Sequence, residues 1–408
     1  SDAAKEANIE WLTALWSDYK QQVAERRGFA VDNFDETYGA LLQKLQAAEG
    51  DLSQYAVNAG LVDAIKSREA FRRDLIALVG ENDEHTYNHV TFSDYADLVI
   101  PAQQFDNPIT DKVGVVVARG VIVDGTAKAG SVGGDSTAAL LRQARHDDKI
   151  KAVVLRIDSP GGSAYASEVI GQEIRLLREA GKPVIASMGA VAASGGYWIA
   201  APANEIWAAP TTITGSIGIF GLIHTAEDAM PVLGLNVDGV GTTELAGLSG
   251  GLPLFQGLNS KAQDLFQLLI ERGYTEFLSM VGENRNMSNA EVDKVAQGRV
   301  WTGRKALELG LVDKLGTLDD AVKAAADKAG LTMYDVKVVQ QKLSPSEQMI
   351  KDLLGEAKAQ GWLPETAVSA EQKLLGKLTQ QLKQDFVLLN QFNDPNGVYS
   401  YCVSCGIN

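Results

Sequence analysis

Ser194 is the side chain whose neighbours best suit it to act as a nucleophile. It lies in the stretch AASGG (residues 192–196), which follows a predicted strand at 184–188 and precedes a predicted short helix at 197–200. Small residues on both sides of a serine allow a tight strand-to-helix turn that exposes the hydroxyl. Such a hydroxyl attacks a carbonyl carbon once a base removes its proton. The stretch therefore predicts acyl chemistry.

A second glycine-bearing turn follows the preceding strand of the sequence. Gly161 and Gly162 end the stretch DSPGG (158–162), directly after a predicted strand at 152–157. Ligands of parallel sheets bind beyond the carboxyl ends of the strands, so both turns belong to one candidate site. The N–H of Gly195, with one from Gly161 or Gly162, could bind a developing oxyanion. The spacing alone fits equally well with glycines that only permit close helix packing.

The base that would activate Ser194 is not evident from the residues. His224, with Asp228 four positions later, could complete a Ser-His-Asp set, although this segment also reads as the start of a surface helix. A lysine with a depressed pKa is the other option. No lysine occurs between Lys182 and Lys261, so none follows Ser194 on the adjacent loops.

Strands and helices alternate through the central part of the chain and would position these turns. Apolar, β-branched runs at 113–123, 152–157, 184–188 and 204–209 predict strands, and helices are predicted at 135–146, 165–180 and 259–285. This alternation favours a mostly parallel sheet with helices outside it. Amphipathic patterns at 6–27, 35–48, 68–79, 346–359 and 370–390 predict further helices.

One internal repeat links the two ends of the chain. The segment AGLVD (59–63) and the helix after it match LGLVD (309–313) and its own following helix, and the helix end at 19–27 resembles that at 277–285. The shared order predicts a tandem duplication whose first copy enters the chain partway through. Chance similarity of two helical hairpins is the alternative.

Composition excludes some classes of protein. The 408 residues carry a formal charge of −15, which argues against a nucleic-acid partner because such a partner requires a basic face.

Cys402 and Cys405 are too few for a zinc site and predict a small disulfide or two free thiols on a tail. The sequence contains no apolar run long enough to span a membrane. Because it begins at Ser1, we expect an upstream segment that is missing here.

Five stretches follow one another between residues 133 and 313: GGDSTAA (133–139), VLRIDSPGG (154–162), MGAVAASGGY (188–197), TGSIG (214–218), and VWTG (300–303) with GLVD (310–313). Together they resemble the signal peptide peptidase A (protease IV) family in its long, tandem-repeat bacterial form. An SPGG motif alone would be shared with caseinolytic proteases and crotonases, but the ordered set is specific.

The resemblance implies a crotonase/caseinolytic-protease-like α/β fold, a layered sheet with outer helices, and a serine peptidase with a Ser-Lys dyad. Ser194 matches the nucleophile, and Gly195 with Gly161 and Gly162 matches the oxyanion hole. Ser216 matches a serine that hydrogen-bonds the lysine and helps to place the hydrolytic water. No cofactor or metal is implied.

The sequence departs from the family at the lysine. Short, single-copy members carry it in a Gly-Lys-Tyr-Lys-like motif after the TGSIG strand, where this chain reads GTTEL (241–245). In the long form, the lysine belongs to the first repeat, just before a helix like residues 3–20. We therefore expect the general base to lie outside this chain.

The expected organisation has four parts. Residues 1–85 form the C-terminal helical part of a truncated first repeat, 86–111 a linker, 112–335 the catalytic repeat and 336–408 a helical extension. The resemblance also implies a homo-oligomer, with a tetramer favoured, that degrades cleaved signal peptides and other extended apolar peptides. It would be anchored in the bacterial inner membrane through a segment absent from this chain, with the catalytic domain on the periplasmic side.

Two other functions remain open at this point. The chain could be an inert peptide-binding or assembly fragment, since it lacks the lysine. It could also be an acyl-CoA enzyme of the crotonase type, which would need a positioned glutamate rather than a nucleophilic serine.

Overall fold

A computed structural model describes most of the chain, and it contains two compact units. One unit comprises residues 8–108, and the other comprises 1–7 together with 109–408. The described residues are 2–34, 37–49, 51–82, 86–92, 95, 110–128, 130–221, 227–235, 257, 260–340, 394, 398–402 and 405. The helices predicted at 346–359 and 370–390 lie outside them.

Helices make up the N-terminal part of the chain. They are α1 (Asp2–Arg27), a 3₁₀ turn (Val31–Phe34), α2 (Tyr38–Ala47), α3 (Leu52–Asn58) and α4 (Arg68–Val79). Thr37, Asp51 and Ser67 are the N-caps of α2, α3 and α4, and each side chain accepts a hydrogen bond from a backbone N–H of the first turn. These caps satisfy donors that have no partner within the helix, which fixes where each helix begins. The helices predicted in this region are confirmed.

The larger unit alternates strands and helices. The strands are β1 (Lys112–Arg119), β2 (Val121–Val123), β3 (Ser131–Gly133), β4 (Ile150–Ser159), β5 (Gly161–Ser163), β6 (Val184–Ala193), β7 (Glu205–Ala208), β8 (Ile213–Gly215), β9 (Phe220–Gly221), β10 (Val300–Thr302), β11 (Lys314–Leu315), β12 (Asp335–Val338) and β13 (Val398–Tyr401). The helices are α5 (Gly134–His146), α6 (Ala164–Glu179), α7 (Gly195–Ala200), α8 (Ala229–Val232), α9 (Ser260–Arg285), α10 (Asn289–Val295), α11 (Gly303–Glu308) and α12 (Leu318–Lys328).

The described strands form two sheets. The larger has the order β10-β8-β6-β4-β1-β12, with β7 pairing β6 and β11 beside this path, and the smaller has the order β3-β2-β5-β13-β9. In the larger sheet every pairing is parallel except that of β10 with β8. The predicted layered α/β fold with a mostly parallel sheet is confirmed.

Both faces of the larger sheet are buried, which explains why its strands read as continuous apolar runs. On β1, Val113 and Val115 face a core shared with α12, whereas Val116 and Ala118 face the main core under α5, α6 and α7. Successive side chains alternate between faces, so a single strand supplies both layers. The sheet is thereby held as a rigid plate whose strand ends have fixed positions.

The turn after α11 is hydrogen-bonded to both α9 and β7. The Arg285 Nε donates to the Gly310 carbonyl at 2.8 Å, and its two terminal nitrogens donate to the two Asp313 carboxylate oxygens at 2.9 and 2.6 Å. The same carboxylate accepts the Ile206 N–H of β7 at 2.7 Å. Burial alone would raise the pKa of Asp313, but these hydrogen bonds and the Arg285 charge lower it overall.

The turn after α3 has the same set of contacts within the smaller unit. The Arg27 Nε donates to the Gly60 carbonyl at 2.9 Å, and its terminal nitrogens donate to the Asp63 carboxylate at 3.2 and 2.9 Å. Gly60 has a φ of 72°, and Gly310 has a φ of 76°, so both turns use the left-handed conformation that glycine adopts readily. The two matched sequence segments therefore have matching local structures.

Two predictions about the C-terminal part of the chain differ from the structure. The boundary at 335/336 falls inside β12, which pairs with β1, so this strand belongs to the sheet rather than to an extension. Part of the segment predicted as a helical extension is strand β13, which pairs with β5 and β9. Among the described helices, none is both long and apolar enough to cross a membrane.

Candidate active site

Three neighbouring strands bring the predicted site residues to one edge of the sheet. β4 ends just before Gly161, β6 ends just before Ser194 and β8 ends just before Ser216. β6 pairs in parallel with β4 and with β8, so the three carboxyl ends point the same way. The sequence prediction that both glycine turns lie together is confirmed, and Ser216 joins them.

Ser194 has a strained backbone at the junction of β6 and α7. Its φ is 57° and its ψ is −116°, a conformation that costs a non-glycine residue about 1–3 kcal/mol. The surrounding ladder maintains it, because the Ser194 N–H donates to the Gly215 carbonyl at 2.8 Å and the Ser194 carbonyl accepts from Trp198 at 2.9 Å. The side chain makes no capping bond to α7, which leaves its hydroxyl directed elsewhere.

The glycines that follow Ser194 are also required by packing. A Cβ atom on Gly195 would lie 2.7 Å from the Ser167 hydroxyl, and one on Gly196 would lie 2.6 Å from the Ser159 carbonyl oxygen. α7 is buried along its whole length, with Tyr197 fully enclosed. Close packing is therefore one role of these glycines, and it is compatible with a second role for their N–H groups as hydrogen-bond donors.

The Gly161-Gly162 turn lies against the start of α7. A Cβ atom on Gly161 would come within 2.7 Å of the Gly195 backbone nitrogen, so the two glycines are in direct contact. The Gly161 N–H already donates to the Ser159 hydroxyl at 3.2 Å. Gly162 in turn pairs with Ile122 of β2 and with Ser400 of β13, so both glycines of this turn remain candidates to join Gly195 as an oxyanion donor.

Ser216 occupies a second left-handed position, immediately after β8. Its φ is 48°, and its N–H donates to the Arg299 carbonyl at 2.7 Å, next to β10. The residue is 5% exposed and lines the same cavity as Ser194. Its predicted contact with a lysine is not tested by these residues.

A cavity of about 630 Å³ opens beside the two serines. Ile219, Phe220 and Ile270 give it apolar walls, and Tyr274 and Tyr401 also line it. Burial, followed by the hydrogen bond to Asp293, raises the pKa of Tyr274 to about 12. Its phenol therefore remains protonated at neutral pH and does not serve as a base there.

The described lining of this cavity contains neither a lysine nor a histidine. Burial lowers the pKa of Lys182, but this residue precedes β6, whereas Ser194 follows it. Ten strand residues separate the ends of β6, about 30 Å at the usual rise, so Lys182 cannot reach the serine. His224 and the segment 241–245 lie outside the described residues, as does any contact between His224 and Asp228.

Strand β13 places a peptide segment directly at Ser194, which the sequence analysis did not predict. The Ser400 hydroxyl oxygen lies 2.6 Å from the Ser194 hydroxyl oxygen. A Cβ atom on Gly161 would lie 2.1 Å, and one on Gly195 3.0 Å, from the Ser400 carbonyl oxygen. A peptide carbonyl thus lies against both glycines of the predicted oxyanion hole. The alternation in VYSY (398–401) is a weak strand pattern that could have suggested this element.

Cys402 and Cys405, directly after β13, form a disulfide and are both buried. This outcome matches the small disulfide that was one of the two predicted states. Within the described part of the chain, no group of histidine, cysteine and acidic residues could hold a metal ion.

The chain is similar to several known proteins. Residues 176–332 match the model of peptidase family S49. Protease 4 of Salmonella typhi is 39% identical over 99% of this chain, which spans 64% of that relative's length. A Synechocystis sp. protein described as a protease is 33% identical over 63% of this chain and 93% of its own length. Among solved structures, a ClpP1 variant from Listeria monocytogenes aligns with 51% of this chain and 94% of its own, at 13% identity and a TM-score of 0.31.

Proposed function

The chain belongs to peptidase family S49, and we propose that it carries the nucleophile and oxyanion hole of a serine endopeptidase with a Ser-Lys dyad. One observation carries this proposal. The strained turn at Ser194 holds its hydroxyl against a peptide strand whose carbonyl lies beside Gly161 and Gly195. A substrate peptide in the same position would present its carbonyl to both the nucleophile and the hydrogen-bond donors.

The proposed reaction proceeds through an acyl-enzyme. Ser194 Oγ attacks the substrate carbonyl carbon as its proton passes to the lysine amine, and the carbonyl oxygen becomes an oxyanion held by the N–H groups of Gly195 and of the Gly161-Gly162 turn. The C–N bond then breaks, and the leaving amine takes the proton. Water, activated by the same lysine, hydrolyses the ester and restores the serine. Ser216 holds the lysine and helps to place that water.

The general-base lysine is proposed to lie outside this chain. Two observations on the described residues support this: the cavity lining offers no lysine, and Lys182 lies at the opposite end of β6. The chain also spans only 64% of the length of the Salmonella typhi relative, which leaves room for the residue in a longer protein.

We also propose that residues 1–85 belong to a first copy of the catalytic repeat. The support is the shared set of contacts at two turns: Arg27 with Asp63, and Arg285 with Asp313, each arginine also bonding a glycine carbonyl. Chance similarity of two helical hairpins would not require the same bidentate pair, the same carbonyl and the same left-handed glycine. The named elements in the described residues of 1–85 are all helices, so the strands of the first copy would lie upstream.

The substrates, assembly and location follow from the same family resemblance. We propose that the longer protein degrades cleaved signal peptides and other extended apolar segments, for which Ile219, Phe220 and Ile270 offer an apolar wall. It would work as a homo-oligomer, with a tetramer favoured, on the periplasmic side of the bacterial inner membrane. A segment outside this chain would anchor it there.

Replacement of the nucleophile tests the chemistry. In the longer protein that includes the lysine, Ser194→Ala is expected to reduce hydrolysis of a peptide ester by about 10⁴-fold or more. Ser260→Ala, at the exposed start of α9, is the control and should retain full activity. Normal turnover by Ser194→Ala would overturn the proposal.

The isolated chain of residues 1–408 distinguishes an inert fragment from a complete enzyme. A fluorophosphonate probe is expected to label Ser194 slowly in this chain and rapidly in the longer protein, because only the latter supplies the base. Equally rapid labelling would require a base within the chain and would contradict the external lysine. Binding of an acyl-CoA, with no labelling in either protein, would favour the crotonase-type alternative.

A further inference from the structure

Strand β13 lies in the position that an extended substrate would take. It pairs antiparallel with β5 on one side, with Tyr399 opposite Ser163 and Tyr401 opposite Gly161. On its other side, Tyr399 lies opposite Phe220 of β9. Pairing with the edge of a sheet is a common way in which a protein holds an extended peptide. Here the peptide is the chain's own C-terminal segment.

The residue of β13 at the nucleophile is small, and its neighbours are large. Ser400 is fully buried against Ser194, with tyrosines on either side of it in the sequence. Its hydroxyl, 2.6 Å from Ser194 Oγ, engages the oxygen that would attack a substrate. A strand whose only role was to complete the sheet would not need to occupy the hydroxyl of the nucleophile.

A buried carboxylate anchors the segment upstream of Ser400. Asp394 is 7% exposed, and its Oδ2 accepts the Ser163 hydroxyl at 2.6 Å and the Tyr165 N–H at 3.0 Å. The Tyr165 N–H belongs to the first turn of α6, where the helix dipole favours a negative charge. Hydrogen bonds to an ionised group are roughly twice as strong as neutral ones, so this contact is a firm attachment.

The segment is also held downstream of Ser400. The Cys402 N–H donates to the Pro160 carbonyl at 2.7 Å, beside the glycine turn. The Cys402–Cys405 disulfide then closes a short ring, and both cysteines are buried. Contacts on both sides of Ser400 therefore hold it in place at the catalytic serine.

We propose that residues 398–402 are a tethered occupant of the peptide groove, which a substrate must displace before it can reach Ser194. This inference rests on the proposed peptidase function, because the groove matters only if peptides bind there. The apparent affinity for a substrate peptide equals the intrinsic affinity reduced by the fraction of molecules whose groove is open. Weakening the tether should therefore tighten peptide binding, although no residue of the tether would touch the substrate.

Peptide binding to the Ser194→Ala form of the 408-residue chain tests this proposal without any need for hydrolysis. The probe is a short fluorescein-labelled peptide of alanine and leucine, followed by fluorescence anisotropy. Asp394→Asn, which removes the charge that anchors the segment, is expected to tighten binding about ten-fold. A chain that ends at Phe392 should bind at least as tightly as this variant. Asp319→Asn, on the exposed face of α12, is the matched control and should leave the affinity unchanged.

Hydrogen exchange followed by mass spectrometry measures the displacement of residues 398–402 from the groove and shows whether each variant folds. Excess peptide should accelerate exchange of the amides in 398–402 and leave those of β4 protected. Peptide binding with unchanged exchange in 398–402, or equal affinities for the Asp394→Asn and Asp319→Asn variants, would overturn the tethered occupant. Failure of the peptidase proposal would instead appear as absent fluorophosphonate labelling in the longer protein, which is a separate measurement.

Discussion

Two serines at the cavity have strained backbones. Ser194 and Ser216 both have positive φ without being glycine, at 57° and 48°, and both follow adjacent parallel strands. Each is held by a backbone bond to a neighbouring strand, so the sheet compensates for the strain. This arrangement fixes two hydroxyls at the cavity wall without relying on side-chain packing. The backbone, rather than the serine side chains, therefore determines the geometry of the site.

Gly161 is packed so closely that an added methyl group should lower the activity. Gly161→Ala would place a Cβ atom 2.1 Å from the Ser400 carbonyl oxygen and 2.7 Å from the Gly195 nitrogen, so both β13 and one of the two glycine turns would have to move. Displacing an oxyanion donor typically lowers the rate about 100- to 1,000-fold, and we expect a loss of this order in peptide-ester hydrolysis by the longer protein.

Gly130→Ala provides a control with the same backbone strain. Gly130 has a φ of 103°, close to the 101° of Gly161, but a Cβ atom there would meet nothing within 4 Å. Both variants lose the glycine's freedom at positive φ, and only Gly161→Ala should lose activity. Equal activities of the two variants would show that the contact between the glycine turns has no role in catalysis.

At the scale of the elements, β6 is the strand that organises the site. Its first half pairs with β7, which is hydrogen-bonded to Asp313, and its last three residues pair with β8. One strand therefore connects the turn at Asp313 to the junction at Ser194. The Thr214 hydroxyl donates to the Ala192 carbonyl at 2.7 Å, reinforcing β8 against the end of β6. Small residues at 192–196 let this crowded end form without voids or clashes.

The pair of Asp313 with Arg285 should make the stability of the fold depend on pH. The pKa of Asp313 is lowered in the folded chain, so its ionised form stabilises the fold above its ordinary value of 3.8, and this contribution is lost as pH falls through the lower folded value. Asp313→Asn should therefore lower the free energy of unfolding by about 2 kcal/mol near neutral pH. The difference from the wild type should shrink below pH 3.8, as measured by urea unfolding across the acid range.

Asp63→Asn is the matched comparison, because Asp63 forms the corresponding bidentate pair with Arg27 in an exposed setting. Its side chain is 89% exposed, against 30% for Asp313. Solvent screens exposed pairs, so this variant should change stability less than Asp313→Asn at every pH. A larger effect of the exposed variant would contradict the assignment of the stability to the buried pair.

Local sequence patterns predicted the elements around the site, and long-range pairing explains what they missed. The runs at 152–157 and 184–188 were long and β-branched enough to predict β4 and β6, and the glycine turns predicted the position of Ser194. Strand β13 has only four residues, and its anchor joins Asp394 to Ser163, 231 positions away. No local pattern specifies such a partner. The sequence did not locate the base, and among the described residues neither a lysine nor a histidine lines the cavity at Ser194.

At the scale of the whole molecule, the two units bury very different amounts of apolar surface. In the described part of the 8–108 unit, the buried hydrophobic residues are Ala24 and Ala48, whereas large side chains such as Ile9, Leu12 and Trp16 are exposed. The larger unit has continuous cores on both faces of its sheet. Burial of apolar surface is the main source of stability, so the smaller unit should be much less stable by itself.

This difference predicts that the isolated chain unfolds in two thermal transitions, the first belonging to the 8–108 unit. Amides in α1–α4 should exchange readily with solvent while those in β1, β4 and β6 remain protected. Leu155→Ala, at a fully buried position, should cost about 2–5 kcal/mol and lower only the second transition. Leu12→Ala, at a position 49% exposed, should move neither transition appreciably. A single cooperative transition that Leu155→Ala shifts as a whole would contradict the separate unfolding of the two units.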